Sequence, residues 1–228
     1  MTTTDSPILT GPAIRTLVDR MGEAADNFLA CLTPDQKVKA FCLFSEEQRR
    51  TFWHYTPILR DGLPLEEMEF QQRRLAHKVV ATGVSRTGYA AVSAIIGLES
   101  TLDMYEGWGT GKWQRNQGNY YMSVFGTPGS IEPWGWKFEG HHVSLNYTIV
   151  NGQIVSPTPT FFGANPADAA LNGVSALRPI GNVEDLARDL VHSLSDEQRE
   201  SAVLADQAPK DILTLNTSAV AEEVQPRD

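Results

Sequence analysis

The sequence has few cysteines and no cluster of basic residues, and each absence narrows the class of protein. Cys31 and Cys42 are its two cysteines in 228 residues, which predicts buried free thiols in a reducing compartment rather than a disulfide framework. The formal net charge is -9. Nucleic acids and anionic membrane surfaces bind clustered Lys and Arg, so neither is an expected partner.

The sequence also has no long apolar run and no recognisable leader. No apolar stretch approaches the roughly 20 residues that a membrane-spanning helix needs. Residues 1–6 lack the basic and apolar regions of a secretory signal. Together with the free thiols, these absences predict a cytoplasmic location.

Specific catalytic motifs are missing as well. The chain contains no HExxH, CxxC or CxxCH spacing for a metal or haem, and no GxSxG nucleophile elbow. Residues 107–112 resemble a phosphate loop only superficially, because they lack the GxxxxGK[ST] spacing and no apolar strand precedes them. Nucleotide binding at this loop is therefore not expected.

The composition is that of a globular protein, with 41% hydrophobic and 21% charged residues. We predict one α+β domain over residues 1–228, in which a helical N-terminal half packs on an antiparallel β-meander and the chain returns as helices. Its parts are a helical part at 10–106, antiparallel strands at 119–160, helices at 183–206, and a poorly ordered tail at 207–228.

Local signals place the first helices. Pro12 begins an apolar pattern of helical spacing, and Thr33–Gln36 has the pattern of a capping box. Ser45–Gln48 repeats that pattern. Pro64 is predicted to start a helix that ends at Gly83, and Ser85 to cap another that runs to Tyr105.

The strands follow from alternating apolar runs. They are predicted at 120–125, 136–150 and 153–158. Asn151-Gly152 between two of the runs is a strong hairpin signal, because both residues tolerate the positive φ of a type I′ turn. Residues 107–118 and 161–181 are rich in Gly, Asn and Pro or Gln, and are predicted loops.

Two of the five histidines are adjacent in the run Glu139-Gly140-His141-His142. In one continuous strand, side chains alternate between the two faces. Glu139 and His141 would then share one face. The opposite face would carry His142, Ser144 and Asn146 together with Trp136 and Phe138.

Carboxylate and imidazole groups are ligands for divalent metal ions. We therefore predict a metal site formed by Glu139 and His141, with His142 as a further ligand or as the general acid/base. His54, in the helical half, is a candidate third ligand. The structural alternative for each histidine is a hydrogen-bonded residue in the core.

Arg86 and Arg115 are the cations best placed near the predicted strands. Each is predicted either to orient an anionic group of a substrate or to pair with Glu99 or Glu106. The sequence leaves the two roles open.

Longer blocks of the sequence resemble a known family. They are YYMSVFGTP at 120–128, WGWKFEGHHVSLN at 134–146 and TPTFFGANP at 158–166, with shorter matches at Gln72-Arg73, Gly88-Tyr89 and Glu99. These blocks are similar to the uncharacterised DUF3500 family over most of residues 45–215. The resemblance implies that members continue past Asp228 with an Asn-His-x-His-like segment, so that a complete metal site would draw ligands from that segment or from a second chain.

These observations predict a metal-dependent enzyme that acts on a small organic molecule by hydrolysis or oxidation, with an anionic substrate as one option. The alternative is a non-catalytic domain that binds a small molecule or a partner and whose histidine pair is structural. The expected cofactor is a divalent metal ion. The expected partner is a small-molecule ligand, and a homo-oligomer is left open.

Overall fold

The computed structural model describes residues 11–171 and 173–217. Its elements fall into two compact units, one ending at Pro179 and one beginning at Ile180. The predicted α+β class is confirmed, because helices accompany a mixed sheet. That the whole chain is one domain stays a prediction.

The described part of the first unit contains five α-helices: α1 (Pro12–Ala30), α2 (Pro34–Ala40), α3 (Glu47–Thr51), α4 (Phe70–Gly83) and α5 (Arg86–Tyr105). Three predicted starts are confirmed. Pro12 is the first residue of α1, Thr33 and Gln36 form a capping box before α2, and the Ser85 side chain accepts a hydrogen bond from the Gly88 amide at the start of α5.

Two predicted helix starts are wrong. Ser45 is not a cap, because α3 begins after Glu46, whose side chain instead accepts from the Leu43 amide. The helix predicted from Pro64 begins six residues later at Phe70, although it ends at Gly83 as expected. Residues 63–64 pair with a strand, and a short 3-10 helix (Leu65–Glu67) follows them.

A seven-stranded sheet forms the centre of this unit. Its strands are β1 (Phe41–Cys42), β2 (Leu63–Pro64), β3 (Tyr121–Phe125), β4 (Trp134–Gly140), β5 (Val143–Val150), β6 (Gln153–Ser156) and β7 (Thr160–Phe162). The order is β1-β3-β4-β5-β6, with β2 also on β3 and β7 also on β5. Strands β3 to β6 form the predicted antiparallel meander, whereas β1 is parallel to β3. Asn151 and Gly152 make the predicted hairpin with φ of 50° and 67°.

The two faces of the sheet differ in polarity. One is apolar and fully buried, and it carries Met122, Val124, Trp134, Trp136, Phe138, Leu145 and Ile149. Each large side chain buried in this way stabilises the fold by about 1.5–3 kcal/mol. Helix α4 contacts this side, where the Tyr147 hydroxyl donates to the Gly83 carbonyl and the His77 ring lies 6.2 Å from that of Phe138.

The opposite face carries a row of buried polar side chains: Ser123, Lys137, Glu139, Ser144 and Asn146. Helix α3 and the residue that follows it contact this face. Lys137 Nζ donates to the carbonyl oxygens of Arg49 and Phe52, each at 2.8 Å. These bonds fasten that segment to the sheet.

The strand predicted over 136–150 is wrong as one element. It is two strands, β4 and β5, that turn back on each other at residues 141–142. The turn restarts the alternation, so Ser144 lies opposite Glu139 and Asn146 opposite Lys137. Neither shares a face with Trp136 and Phe138, contrary to the prediction.

The predicted loop at 107–118 contains no helix or strand, as expected. The predicted loop at 161–181 is wrong in part, because it contains most of β7 and a separate hairpin of β8 (Ala169–Leu171) and β9 (Val174–Leu177). Of the two free cysteines, Cys42 is buried as predicted but Cys31 is exposed.

The second unit contains α6 (Gly181–Ser193) and α7 (Asp196–Ala202), which confirms the two predicted helices with slightly different ends. A Ser195–Gln198 capping box begins α7. Residues 203–217 contain no helix or strand, and the rest of the predicted poorly ordered tail, 218–228, lies outside the described residues. Within the described chain, no helix is both long enough and apolar enough to cross a membrane.

Candidate functional site

His141 and His142 form the turn between β4 and β5. His142 has a left-handed backbone with φ of 60°, which is uncommon for a residue other than glycine. Its amide donates to the Tyr55 carbonyl at 2.9 Å, and its carbonyl accepts from the Gly163 amide at 2.8 Å. Two distant segments therefore fix the backbone of the turn.

The His141 ring is held by a carboxylate from helix α5. Its Nδ1 lies 2.5 Å from Glu99 Oε1, and the two side chains are only 9% and 4% exposed. Glu99 lies on the buried face of α5, with Ile95, Ile96, Leu98 and Leu102. When Nδ1 carries the proton of this hydrogen bond, Nε2 is left with a lone pair.

Tyr120 stabilises the turn through a hydrogen bond. Its hydroxyl donates to the His141 carbonyl at 2.8 Å. Burial raises the pKa of Tyr120 well above its usual range, so the hydroxyl stays protonated and remains a donor. Gly140 is required here, because a Cβ at that position would lie 2.1 Å from the Tyr120 ring.

Glu99 and His141 line a cavity of about 280 Å³. Its other lining residues are Pro57, Ile58, Leu59, Arg60, Trp113, Gln114, Asn116, Asn119, Tyr120 and Tyr121. Two irregular segments, 57–60 and 113–119, supply most of this wall. Within residues 11–171 and 173–217 the side-chain amides of Gln114 and Asn119 make no hydrogen bond, so both are available to a ligand.

Arg60 fastens one of these segments to the sheet. Its guanidinium donates to the carbonyl oxygens of Ile58 at 2.7 Å, Thr56 at 2.6 Å, His54 at 2.9 Å and Gly140 at 3.1 Å. Burial lowers the pKa of Arg60, but a guanidinium stays charged in proteins. Among the described residues no acidic side chain is in direct ion-pair contact with it, although the charge of Glu139 acts on it from further away, and Arg60 lines the cavity.

Arg115 takes the second of its two predicted roles. It pairs with Glu106 through two hydrogen bonds of 2.6 and 3.0 Å, and its side chain is 5% exposed. The hydrogen bonds from Arg115 lower the pKa of Glu106, and the same contact raises the pKa of Arg115. Arg86 is exposed at the start of α5 and does not line the cavity.

Glu139 does not share a site with His141. Its Oε1 accepts from the Ser144 hydroxyl at 2.8 Å, and its Oε2 lies 3.3 Å from Lys137 Nζ. The second contact is an ion pair without hydrogen-bond geometry. Burial raises the pKa of Glu139, and the Lys137 charge and the Ser144 hydroxyl partly offset that rise. The carboxylate thus belongs to the buried polar face of the sheet.

The other two predicted ligands lie in different environments. The His142 ring centroid is 4.1 Å from that of His141, and burial lowers the pKa of His142 to about 4, with further lowering by the charges of His141 and Arg115. Its Nδ1 is buried without a hydrogen-bond partner in the described chain. His54 Nδ1 accepts from the amides of Tyr55 and Thr56, at 3.1 and 3.2 Å.

Among the residues that the structure describes, no group of three or more His, Cys, Asp or Glu side chains could hold a metal ion. The predicted set of His141, Glu139, His142 and His54 therefore does not assemble as one ligand group. Binding of a metal ion by this protein stays a prediction.

The sequence interpretation missed Glu99 as a site residue, and it missed Arg60 and Tyr120 altogether. Glu99 had a signal: it is a carboxylate in the apolar stripe of α5, three residues after Ile96 and three before Leu102, and acidic residues are rarely buried unless they are paired. Arg60 and Tyr120 had none, because main-chain carbonyls can accept from any donor and the contacts with Gly140 and His141 join residues 80 and 21 positions apart.

Comparison with known proteins identifies the family of this chain. No curated protein and no solved structure matches this chain. The model of a family described as "Protein of unknown function (DUF3500)" matches residues 15–226, which is nearly the whole sequence and includes the turn, Glu99 and Arg60. The resemblance noted in the sequence is confirmed, and the chain belongs to the DUF3500 family.

Proposed function

We propose that this protein is an enzyme that transfers a proton to or from a small polar organic molecule, with His141 as the general base and Glu99 as the group that orients it. The observation that carries the proposal is the 2.5 Å contact between His141 Nδ1 and Glu99 Oε1 on the wall of a cavity. A carboxylate on one ring nitrogen leaves the other free to accept a proton from a substrate.

The cavity limits the size and polarity of the substrate. Its volume of about 280 Å³ is at the lower end of the roughly 300–1,000 Å³ of ligand pockets, which favours a small molecule. The amides of Gln114 and Asn119 can each donate and accept hydrogen bonds. The charge of Arg60 favours an anionic or carbonyl oxygen, while Ile58, Leu59 and Trp113 provide an apolar side.

The same contact supports a metal-dependent variant as a second candidate. Histidines that bind metals commonly donate their other ring N–H to a carboxylate, and Glu99 stands in that position to His141. In this variant His141 Nε2 and the neighbouring His142 would contribute ligands, and a divalent ion would polarise a substrate oxygen or activate water. Glu139 and His54 would have no part in it.

The free thiols Cys31 and Cys42 support a reducing, cytoplasmic location for this activity. This location is part of the proposal.

The test is an activity screen on the full, untagged chain. Small esters, amides, hydroxy acids and sugars are incubated with the protein in deuterated water, and turnover and deuterium incorporation are followed by NMR. The His141→Gln variant is expected to lower kcat/KM by at least about 100-fold, because it removes the base. His192→Gln, which alters an exposed histidine of α6, is the matched control and should leave kcat/KM unchanged.

Several outcomes distinguish the candidates, provided that circular dichroism shows both variants folded. An activity that survives His141→Gln contradicts the proposal. Ligands that bind in the cavity and never turn over favour a non-catalytic binding domain. Metal analysis of the untagged protein tests the second candidate, since a stoichiometric ion that is lost in His141→Gln would support it.

A further inference from the structure

A second, larger depression lies on the surface of the first unit, between α4 and α5. Its volume is about 650 Å³, and it is lined by Phe70, Arg73, Arg74, His77, Lys78, Ala81 and Tyr89. We call it the basic groove. The residues from Phe70 to Ala81 follow α4 for about 16 Å at 1.5 Å per residue, so the basic groove suits an elongated ligand.

The basic groove combines positive charge with apolar surface. Arg73, Arg74 and Lys78 are exposed, and Lys78 has one acidic neighbour, Glu23, in a surface contact of 3.7 Å. Phe70 is 66% exposed, and the Arg74 guanidinium lies 5.8 Å from the centre of its ring. An acidic segment with apolar side chains would complement this surface.

His77 and Tyr89 form the floor of the basic groove. The Tyr89 hydroxyl and His77 Nδ1 are 3.1 Å apart, and the two rings meet edge to face. Burial lowers the pKa of His77, so the charge of the groove at neutral pH comes from its two arginines and its lysine.

Helix α6 carries exposed apolar and acidic side chains, which complement the basic groove. Val183, Leu186 and Leu190 recur at helical spacing and are 61%, 68% and 63% exposed. Glu184 and Asp189 lie on either side of this stripe by helical spacing, and Glu184 also forms a surface ion pair with Arg188 of the same helix at 2.7 Å. An exposed apolar stripe between charged residues is typical of a helix that binds a groove.

The net charge of the sequence is concentrated in its C-terminal part. From position 180 onward there are eleven acidic and four basic residues, so this part carries -7 of the net charge of -9. Residues 1–179 contain the other seventeen acidic and fifteen basic residues, a net charge of -2. A strongly acidic C-terminal part and a basic groove in one sequence favour association between copies.

We propose that the basic groove binds helix α6 of a second copy of this chain. The apolar stripe of α6 would pack on Phe70, Ala81 and Tyr89, and its acidic residues would meet Arg73, Arg74 and Lys78. This is the helix-in-groove mode of recognition. Exchange of the two helices about a two-fold axis satisfies both grooves and closes the assembly as a dimer.

The test is sedimentation velocity on the full chain at micromolar concentration in low and high salt. We expect a dimer whose Kd rises with salt, because the contacts between exposed charges are screened. Arg73→Glu/Arg74→Glu and, separately, Glu184→Lys/Asp189→Lys should each weaken dimerisation at least about tenfold. The control Arg15→Glu/Arg20→Glu makes the same charge change on exposed positions of α1 and should weaken it far less.

Mixing the two charge-reversed chains gives the decisive result. Each carries one reversed surface, so a heterodimer restores opposite charges at both grooves, and it should form where neither variant forms a homodimer. A chain that stays monomeric up to about 100 μM, or a dimer that none of these variants weakens, overturns the proposal. A mixture that stays monomeric although both variants are folded by circular dichroism also overturns it.

Discussion

Glu99 and Glu139 are both buried carboxylates close to the histidine turn, yet they differ in what surrounds them. Glu139 is on a strand, and both of its oxygens face groups of the sheet, Lys137 and Ser144. Glu99 is on a helix, and its partner is an imidazole on the wall of a cavity. The carboxylate next to the histidines in sequence is structural, and the one 42 residues away is the candidate functional group.

The partner of each carboxylate explains this difference. Lys137 Nζ donates to two main-chain carbonyls and forms an ion pair with Glu139, so groups of the protein already surround both charges. An imidazole has two nitrogens on opposite sides of the ring, and Glu99 occupies only one. A buried carboxylate paired with histidine can therefore orient a second ring nitrogen toward a substrate. A carboxylate paired with lysine orients no such second group.

The largest expected effect is on the structural pair. Glu139→Gln leaves the buried Lys137 charge without its counter-ion, and we expect the free energy of unfolding to fall by about 3 kcal/mol. Urea denaturation measures this loss. Glu132→Gln, at an exposed position just before β4, should change stability by less than about 0.5 kcal/mol.

The double variant Lys137→Met/Glu139→Leu sharpens the same point. It removes both charges but also the two bonds from Lys137 to the Arg49 and Phe52 carbonyls, so it should destabilise by less than the sum of the losses in Lys137→Met and Glu139→Leu alone. A loss under about 1 kcal/mol for Glu139→Gln would show that Lys137 is satisfied by main-chain carbonyls, and the contrast with Glu99 would fail.

Glu99→Gln should mainly lower activity, and it should reduce stability less than Glu139→Gln does. The amide keeps the size of the side chain but no longer stabilises one orientation and charge of the imidazole. We expect kcat/KM to fall at least about 100-fold, equivalent to about 2.7 kcal/mol, with a loss of unfolding free energy near 1 kcal/mol. Long-range ¹⁵N–¹H NMR of His141 should show one tautomer in the native protein and a mixture in Glu99→Gln. A single unchanged tautomer would contradict the orienting role.

His142 should make stability depend on pH. Its folded pKa of about 4 is below the unfolded value of about 6.5. Between these values the unfolded chain binds a proton that the folded chain does not, so stability falls as pH drops from about 6.5 to 4. We expect His142 to contribute about 2–3 kcal/mol to this fall.

The check is to compare His142→Asn with the native chain by urea denaturation at several pH values. Asparagine tolerates the left-handed backbone of this position and does not titrate. The difference in unfolding free energy between the two proteins should therefore change across the window. His192→Asn serves as the control, and a difference that is constant with pH would contradict the buried, neutral state of His142.

The smallest effect is expected at Arg86. Because this side chain is exposed and does not line the cavity, Arg86→Gln should change unfolding free energy by less than about 0.5 kcal/mol and leave kcat/KM unchanged. A tenfold fall in kcat/KM would return Arg86 to the substrate-orienting role first predicted for it.

The features that the sequence predicted well are those with a local cause. The Thr33 capping box, the Ser85 cap and the Asn151-Gly152 turn each depend on residues within four positions of one another, and all three are present. Elsewhere the prediction from the local sequence pattern was wrong because distant segments pair with each other. The Pro64 segment pairs with β3 instead of starting a helix, and no neighbouring residue signals that partner.

At the candidate site, the turn at His141 and His142 likewise depends on residues that are distant in the sequence. His142 adopts its left-handed backbone because Tyr55 and Gly163, each far along the chain, bond to its main chain. The prediction of the run 136–150 as one continuous strand therefore gave the wrong register for Ser144 and Asn146. The length of that run was a usable warning, since fifteen residues exceed the usual strand of about 3–10.

The walls of the cavity and the Glu99–His141 pair come from different kinds of structure. Glu99 is anchored in a long helix and His141 in a turn bonded on several sides, while irregular chain at 57–60 and 113–119 shapes the rest of the space. Substitutions in those two connecting segments can remodel which molecule is admitted without shifting the carboxylate or the imidazole. Members of one family can in this way keep a common chemistry and diverge in selectivity.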